Sequence, residues 1–227
     1  MSSAPGIPVA THPAEKPSPT PLDGRTIRLE KLEARHAHEL WEALGSSDYQ
    51  FIWDYMPNGP FDDKESFVSF IEENARSSDP YHYALVDKTR NKAVGSFSLM
   101  RIDAKNRVIE IGFIVFSPAL QRTTAGTEAV YLLAKRSFEE LGYRRFEWKC
   151  NNLNEPSKRA ALRYGFTFEG LFRQHMIVKG KNRDTAWYSI LDSEWPAVRA
   201  AFEKWLDPKN FDADGKQINS LISLRSP

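Results

Sequence analysis

The chain has 227 residues, enough for one domain of ordinary size with a full core and short tails. Its 31 Lys and Arg balance 30 Asp and Glu, so a net charge of +1 gives no electrostatic case for nucleic acid or an anionic membrane as partner. A single cysteine, Cys150, excludes an internal disulfide and any cysteine-based zinc cluster, and no apolar run reaches the roughly 18 residues of a membrane span. The expectation is a cytoplasmic protein without a metal.

Pro5, Pro8, Pro13, Pro17, Pro19 and Pro21 crowd residues 1–22, which offer almost nothing to a core; an extended, mobile tail is predicted. A single domain is expected over 23–206, followed by a polar tail over 207–227. Residues 26–32 alternate as a strand, and Ala37, Leu40, Trp41 and Leu44 recur at helical spacing until Gly45. The next stretch carries Tyr49, Phe51, Trp53, Tyr55 and Phe61 among Pro57, Gly59 and Pro60. Such a loop either caps a core or walls a pocket, and in the second case Tyr49, Trp53 and Tyr55 meet the substrate. Asp62 and Asp63 then favour a helix start, with Phe67, Phe70, Ile71 and Ala75 on one face.

Residues 81–87 and 92–102 read as a hairpin, and residues 107–116 as a central strand. Counting by two puts Val108, Glu110, Gly112, Ile114 and Phe116 on one face and Ile109, Ile111, Phe113 and Val115 on the other. Both faces are apolar, so the strand should be covered on both sides, with Glu110 as its one carboxylate. The loop 121–126 that follows has no side chain larger than Thr after Arg122. A helix opening at Thr127 would aim unpaired amides and the positive end of its dipole at the same point, which suits a phosphate-bearing cofactor. That helix closes at Gly142; strand 144–150, an Ala-rich helix ending at Gly165 and a hairpin over 166–192 follow. The last helix, through Leu206, carries Trp195 and Trp205; read as exposed, they would bury against a second copy in a homodimer.

This order, with a small-residue loop between the fourth strand and the third helix, resembles the GNAT superfamily of acyl-CoA-dependent N-acetyltransferases. The resemblance spans roughly residues 22–191. Its pyrophosphate loop falls on Gln121, Arg122, Thr123, Thr124, Ala125 and Gly126, its N-x-x-S element on Asn154 and Ser157, its G-F pair on Gly165 and Phe166, and its E-G pair on Glu169 and Gly170. The last three, with the aromatic loop, point to the RimJ/RimL-like branch. The implied fold is α/β of the α+β kind: a mixed, mostly antiparallel sheet of about seven strands, flanked by helices and splayed between the fourth and fifth strands.

The implied activity is transfer of an acetyl group from acetyl-CoA to a primary amine, on a protein N-terminus or a small amino compound, by direct attack in a ternary complex. The resemblance gives the diphosphate to the amides of residues 122–127 and cofactor contacts to Phe116, Asn154 and Ser157. Ser157 is also placed beside the departing thiolate, and Glu110 where some members keep a base. The Tyr that many members use as proton donor corresponds to Ala161, and Tyr164 does not replace it. From the residues alone, Ser157 could equally bond within its helix, Asn154 could simply cap that helix, and Glu110 could pair with a buried Arg or a backbone amide. Met176 stands where some relatives carry a Glu, and neighbouring His175 is read onto the opposite face. Asp184 could attract the acceptor's ammonium. Cys150 has no sequence neighbour to activate it. Thr124 replaces the loop's first glycine, which, with Ala161, motivates the alternative of a catalytically silent CoA-binding module.

Overall fold

The computed structural model describes residues 6–225. Eight strands form one sheet in the order β1-β2-β3-β4-β5-β6-β8-β7, one more than the sequence suggests. The strands are β1 (Leu22–Asp23), β2 (Ile27–Lys31), β3 (Tyr81–Asp87), β4 (Lys92–Asp103), β5 (Val108–Phe116), β6 (Arg145–Asn151), β7 (Thr167–Val178) and β8 (Lys181–Leu191). The extra strand is β1, two residues paired to Arg28 and Leu29. All neighbours are antiparallel except β5 and β6.

Five α-helices cover the sheet: α1 (Ala37–Leu44), α2 (Lys64–Arg76), α3 (Thr124–Lys135), α4 (Glu155–Tyr164) and α5 (Trp195–Leu206). On one face Leu40 and Leu44 of α1 and Phe67 and Ile71 of α2 pack on Ala84, Val86 and Val115. On the other, Val130 and Leu133 of α3, Ala161 of α4 and Phe202 of α5 pack on Ile109, Ile111, Phe146 and Tyr188. Local sequence explains the ends: Asp63 Oδ1 caps α2 through the Ser66 amide at 2.7 Å, and Gly165 closes α4 at φ 102°.

The strict alternation expected of β5 fails at Phe113, whose φ of 49° marks a bulge opposite Phe97 of β4. An extra residue inverts the side-chain parity beyond it. Ile114 and Phe116 therefore pack with Ile109 and Ile111, whereas Val115 joins the α1–α2 side.

Both expected tails are corrected in part. Ala14 is buried; its amide bonds Ala104 O at 2.9 Å and that of Glu15 bonds Leu141 O at 2.8 Å. The buried Arg136 guanidinium holds the same segment through Thr20 O at 3.1 Å and Ser18 Oγ. The prolines therefore shape a fixed extended strap over residues 14–22, because a buried cation needs the oxygens it presents. Residues 1–5 lie outside the described residues. The C-terminal segment folds over as well: Leu221 is fully buried, the Asn210 side chain bonds the backbone of Trp205 and Asn219, and Arg225 reaches Leu162 O at 2.8 Å.

Trp195 and Trp205, expected to be exposed, are buried in their own chain. Trp195 stacks on Phe138 and donates to Glu139 at 2.9 Å; Trp205 donates to Gln217 at 2.7 Å and meets Phe211 edge-on. The reason given by the sequence for a homodimer is thereby removed.

Candidate functional site

The parallel register of β5 and β6 runs from Val108↔Arg145 to Ile111↔Trp148 and stops there. The Phe113 bulge turns β5 away, so the two strands part from Gly112 and Lys149 onward, as the expected splay requires. The N-terminus of α4 lies beside the opening, because Asn154 Oδ1 caps it through the Ser157 amide at 3.1 Å.

After β5 the chain turns: the amides of Leu120 and Gln121 bond Ser117 O, and Gln121 Nε2 returns to Phe116 O at 2.8 Å. Arg122 takes the left-handed conformation, φ 60°. Thr123 then caps α3, its hydroxyl donating to Leu120 O at 2.7 Å and accepting from the Gly126 amide at 3.1 Å. The helix begins at Thr124, three residues before the expected Thr127. Two of the expected amides are thus spoken for, Gly126 by the Thr123 hydroxyl and Thr127 by Thr123 O at 3.3 Å. Those of Arg122, Thr123, Thr124 and Ala125 have no partner among the described residues. The objection to Thr124 falls away: it sits in the helix, and the positive φ belongs to Arg122. Gly126 is needed for space, since a Cβ there would stand 2.7 Å from Leu120 O.

Two cavities meet at the opening. The larger, about 1170 Å³, is bounded by Phe116, Gln121, Arg122, Thr123, Thr124, Gly126 and Thr127, and farther out by Arg159, Arg163 and Lys216. Ala125 does not border it, its methyl lying in the core. The smaller, about 210 Å³, holds Glu110, Arg101, Lys149, Arg183, His175 and Thr185. Tyr55, Ile114, Trp148, Asn154 and Ser157 border both.

Ser157 does not bond back into its helix through its hydroxyl; Oγ accepts from Trp148 Nε1 at 3.0 Å. Glu110 is buried, and Oε2 takes Lys149 Nζ at 2.8 Å and Arg101 Nε at 3.6 Å, while Oε1 has no partner among the described residues. Burial lifts its carboxyl above the usual carboxylate range despite both cations. Lys149 is required where it is, because the parallel register sets Glu110 directly opposite Glu147, which Lys149 also holds at 2.7 Å. Burial raises the Cys150 thiol, so this residue is a poor nucleophile.

Of the residues expected around the substrate, only Tyr55 is at the site, its hydroxyl on Leu153 O at 3.0 Å. Trp53 is core: it is 2% exposed and packs edge-on against Phe61, Phe67 and Phe70. Tyr49 borders neither cavity. Asp184 is spent inside the β7–β8 hairpin, on the Gln174 amide at 2.7 Å and Asn182 Nδ2 at 2.9 Å. Gln174, at φ 50°, bulges β7 and brings His175 and Met176 to the same cavity, against the expected alternation. His175 Nδ1 pairs with Thr185 Oγ1 at 3.0 Å, and its pKa is lowered by burial and by Arg183, Arg101 and Lys149. Sequence reading missed Arg183, Lys149, Arg101 and the C-terminal wall. The only trace of the first three was a lone strand carboxylate that needed a cation.

The model of the acetyltransferase (GNAT) domain matches residues 26–167. The chain belongs to the GNAT acetyltransferases. A GCN5-related N-acetyltransferase from Brucella melitensis, known as a crystal structure, is 46% identical with a TM-score of 0.92 over 94% of this chain and 97% of that one. YdaF of Bacillus subtilis, provisionally named a ribosomal N-acetyltransferase, is 29% identical over 142 residues, 56% of this chain and 77% of the relative. The microcin C7 self-immunity acetyltransferase MccE, solved with acetyl-CoA and AMP, is 27% identical at a TM-score of 0.64, covering 74% of this chain and 93% of that one. No helix among the described residues of this GNAT enzyme is long and apolar enough to cross a membrane. Its larger cavity suits the family's acyl donor: unpartnered amides at a helix N-terminus face anionic groups, and Arg122, Arg159, Arg163 and Lys216 supply positive charge along the wall.

Proposed function

We propose that this enzyme acetylates a primary amine from acetyl-CoA by direct attack in a ternary complex, with no covalent enzyme intermediate. The observation that carries this reading is the row of free amides on Arg122, Thr123, Thr124 and Ala125, the first three on residues that border a cavity continuing through the β5–β6 splay to Ser157 and Glu110. Acetyl-CoA, when bound, supplies an activated thioester acyl group.

The chain's own residues then divide the work. The four amides hold the diphosphate, while Phe116, Gln121 and Asn154 wall the arm that leads to the splay. Ser157 has its oxygen fixed by an indole N–H that can only donate, and its own O–H, which also lies within reach of the Cys150 sulfur, can turn to hydrogen-bond the leaving sulfur. Glu110 offers Oε1 to the proton of the incoming amine, and its raised pKa suits that task. Tyr55 stands between the two cavities and orients the acceptor.

Thiol release from acetyl-CoA, measured against a panel of amino compounds and peptide N-termini beside calorimetry with CoA, tests the reading. Tight CoA binding with amine-dependent thiol release is expected. Heat without release from any amine would end the catalytic part.

A further inference from the structure

We propose that the acceptor is a small amine that also carries an oxyanion, and that Arg183 of β8 holds the oxyanion while Glu110, in the same cavity, receives the amine. The inference rests on the smaller cavity being the acceptor side of the site.

The charges in that cavity are not balanced. Arg101, Lys149 and Arg183 face a single carboxylate, Glu110. Lys149 is fully engaged: it lies 2.8 Å from Glu110, 2.7 Å from Glu147 and 3.7 Å above the Trp187 ring. Arg101 reaches Glu110 at 3.6 Å from a half-exposed position. Arg183 is different. Its Nε is buried without a partner, and it makes no ion pair with any described carboxylate. The residue as a whole is half-buried, and burial lowers its pKa although Glu110 opposes the shift. Such a group is costly unless a partner arrives, and a carboxylate or phosphonate matches its planar fork.

Position and size narrow the class further. Glu110 Oε1 and Arg183 are unengaged groups of opposite sign in one chamber, which is the complement of a zwitterion. The volume, about 210 Å³, is below the roughly 300–1,000 Å³ of pockets that take drug-sized ligands, room for one amino-acid-sized group at the reacting end. Met56, Met100 and Met176 give an adaptable apolar wall for a side chain. The Tyr55 hydroxyl on Leu153 O and the Lys179 ammonium on Trp53 O tie the aromatic loop down beside it.

The test uses the full chain with acetyl-CoA and matched acceptors: the standard amino acids, the amide and decarboxylated amine of the best of them, its aminophosphonate analogue, and a tetrapeptide. Thiol release gives kcat and KM, and the melting temperature in the presence of CoA gives binding independently of turnover. The expected result is at least tenfold higher kcat/KM for the acid than for its amide or decarboxylated amine. Arg183→Met should raise KM for the acid at least tenfold and abolish its thermal shift, and Arg183→Lys should recover part of both, with CoA affinity as the folding control. The carboxylate and phosphonate arms identify which oxyanion is preferred. If an Arg183-dependent thermal shift appears without thiol release, the oxyanion site stands and the catalytic reading fails. Equal use of the amide, the amine or the tetrapeptide, an unchanged KM in Arg183→Met, or neither turnover nor thermal shift with any acid, overturns the proposal.

Discussion

Trp148 Nε1 donates to Ser157 Oγ at 3.0 Å, joining the last residue of β6 paired with β5 to the first turn of α4 across the mouth of the splay. An indole nitrogen cannot accept, so the bond fixes the direction of the serine proton without using it. Ser157→Ala should lower kcat by about 10²-fold with little change in the KM for acetyl-CoA, the loss expected for one proton donor. Trp148→Phe keeps the hydroxyl but frees its rotor and should cost about tenfold. Steady-state kinetics of both variants, with a circular dichroism control, checks the order; equal effects would mean that Ser157 only supports the indole.

Thr124 lies in α3, so returning the family's glycine should not help. Thr124→Gly is expected to leave the CoA Kd within about twofold and to lower stability by a few tenths of a kcal/mol, from helix propensity. Gly126→Ala should instead raise Kd by about tenfold or more, since the new methyl meets Leu120 O at 2.7 Å and must shift the loop. Calorimetry and thermal denaturation separate the two variants.

Glu110 and Glu147 face each other across β5 and β6 with Lys149 between them. Lys149→Met removes the cation shared by two carboxylates, leaving Glu110 to Arg101 and Glu147 to Arg145, and should cost about 1.5–3 kcal/mol in chemical denaturation. It should also move the acidic limb of kcat/KM to higher pH, because a base must be ionised and Glu110 loses the cation that favours ionisation. Glu110→Gln should remove that limb. If the limb persists there, the proton goes elsewhere.

His82 is buried against Phe113, the residue at the β5 bulge, with ring centroids 5.5 Å apart. Burial, aided by Lys31, lowers its pKa from 6.5 to about 4. A folded value below the unfolded one means that the unfolded chain binds the proton more readily. The contribution to stability is therefore full above pH 6.5, is lost as pH falls toward 4, and changes no further below that, for a total of up to about 3 kcal/mol. His82→Phe should flatten the stability curve between pH 4 and 6.5; an unchanged slope would refute the assignment.

Phe211, Gly215, Lys216 and Gln217 wall the larger cavity, while Leu221 is buried beneath them. Truncation after Leu206 should lower the melting temperature, chiefly through the burial of Leu221 and Trp205 at about 1.5–3 kcal/mol for a large side chain. It should also weaken CoA binding by about tenfold. A truncated chain with unchanged CoA affinity would show the wall to be structural only.

By itself the sequence determined the architecture. Apolar periodicity located the helices and strands, the small-residue loop after Phe116 marked the turn into α3, and the Asn154–Ser157 spacing marked the cap of α4, because all three are written in neighbouring residues. Only the tertiary structure decided which side chains share the site. Two bulges, at Phe113 and Gln174, inverted the parity on which faces had been counted; one turned Ile114 and Phe116 to the side covered by α3, α4 and α5, the other brought His175 in beside Met176. Trp53 became core through Phe67, Asp184 was consumed by its own hairpin, and Arg183 entered the cavity alone. Whether a charge is paired depends on residues dozens of positions away, and local pattern carries no record of that pairing.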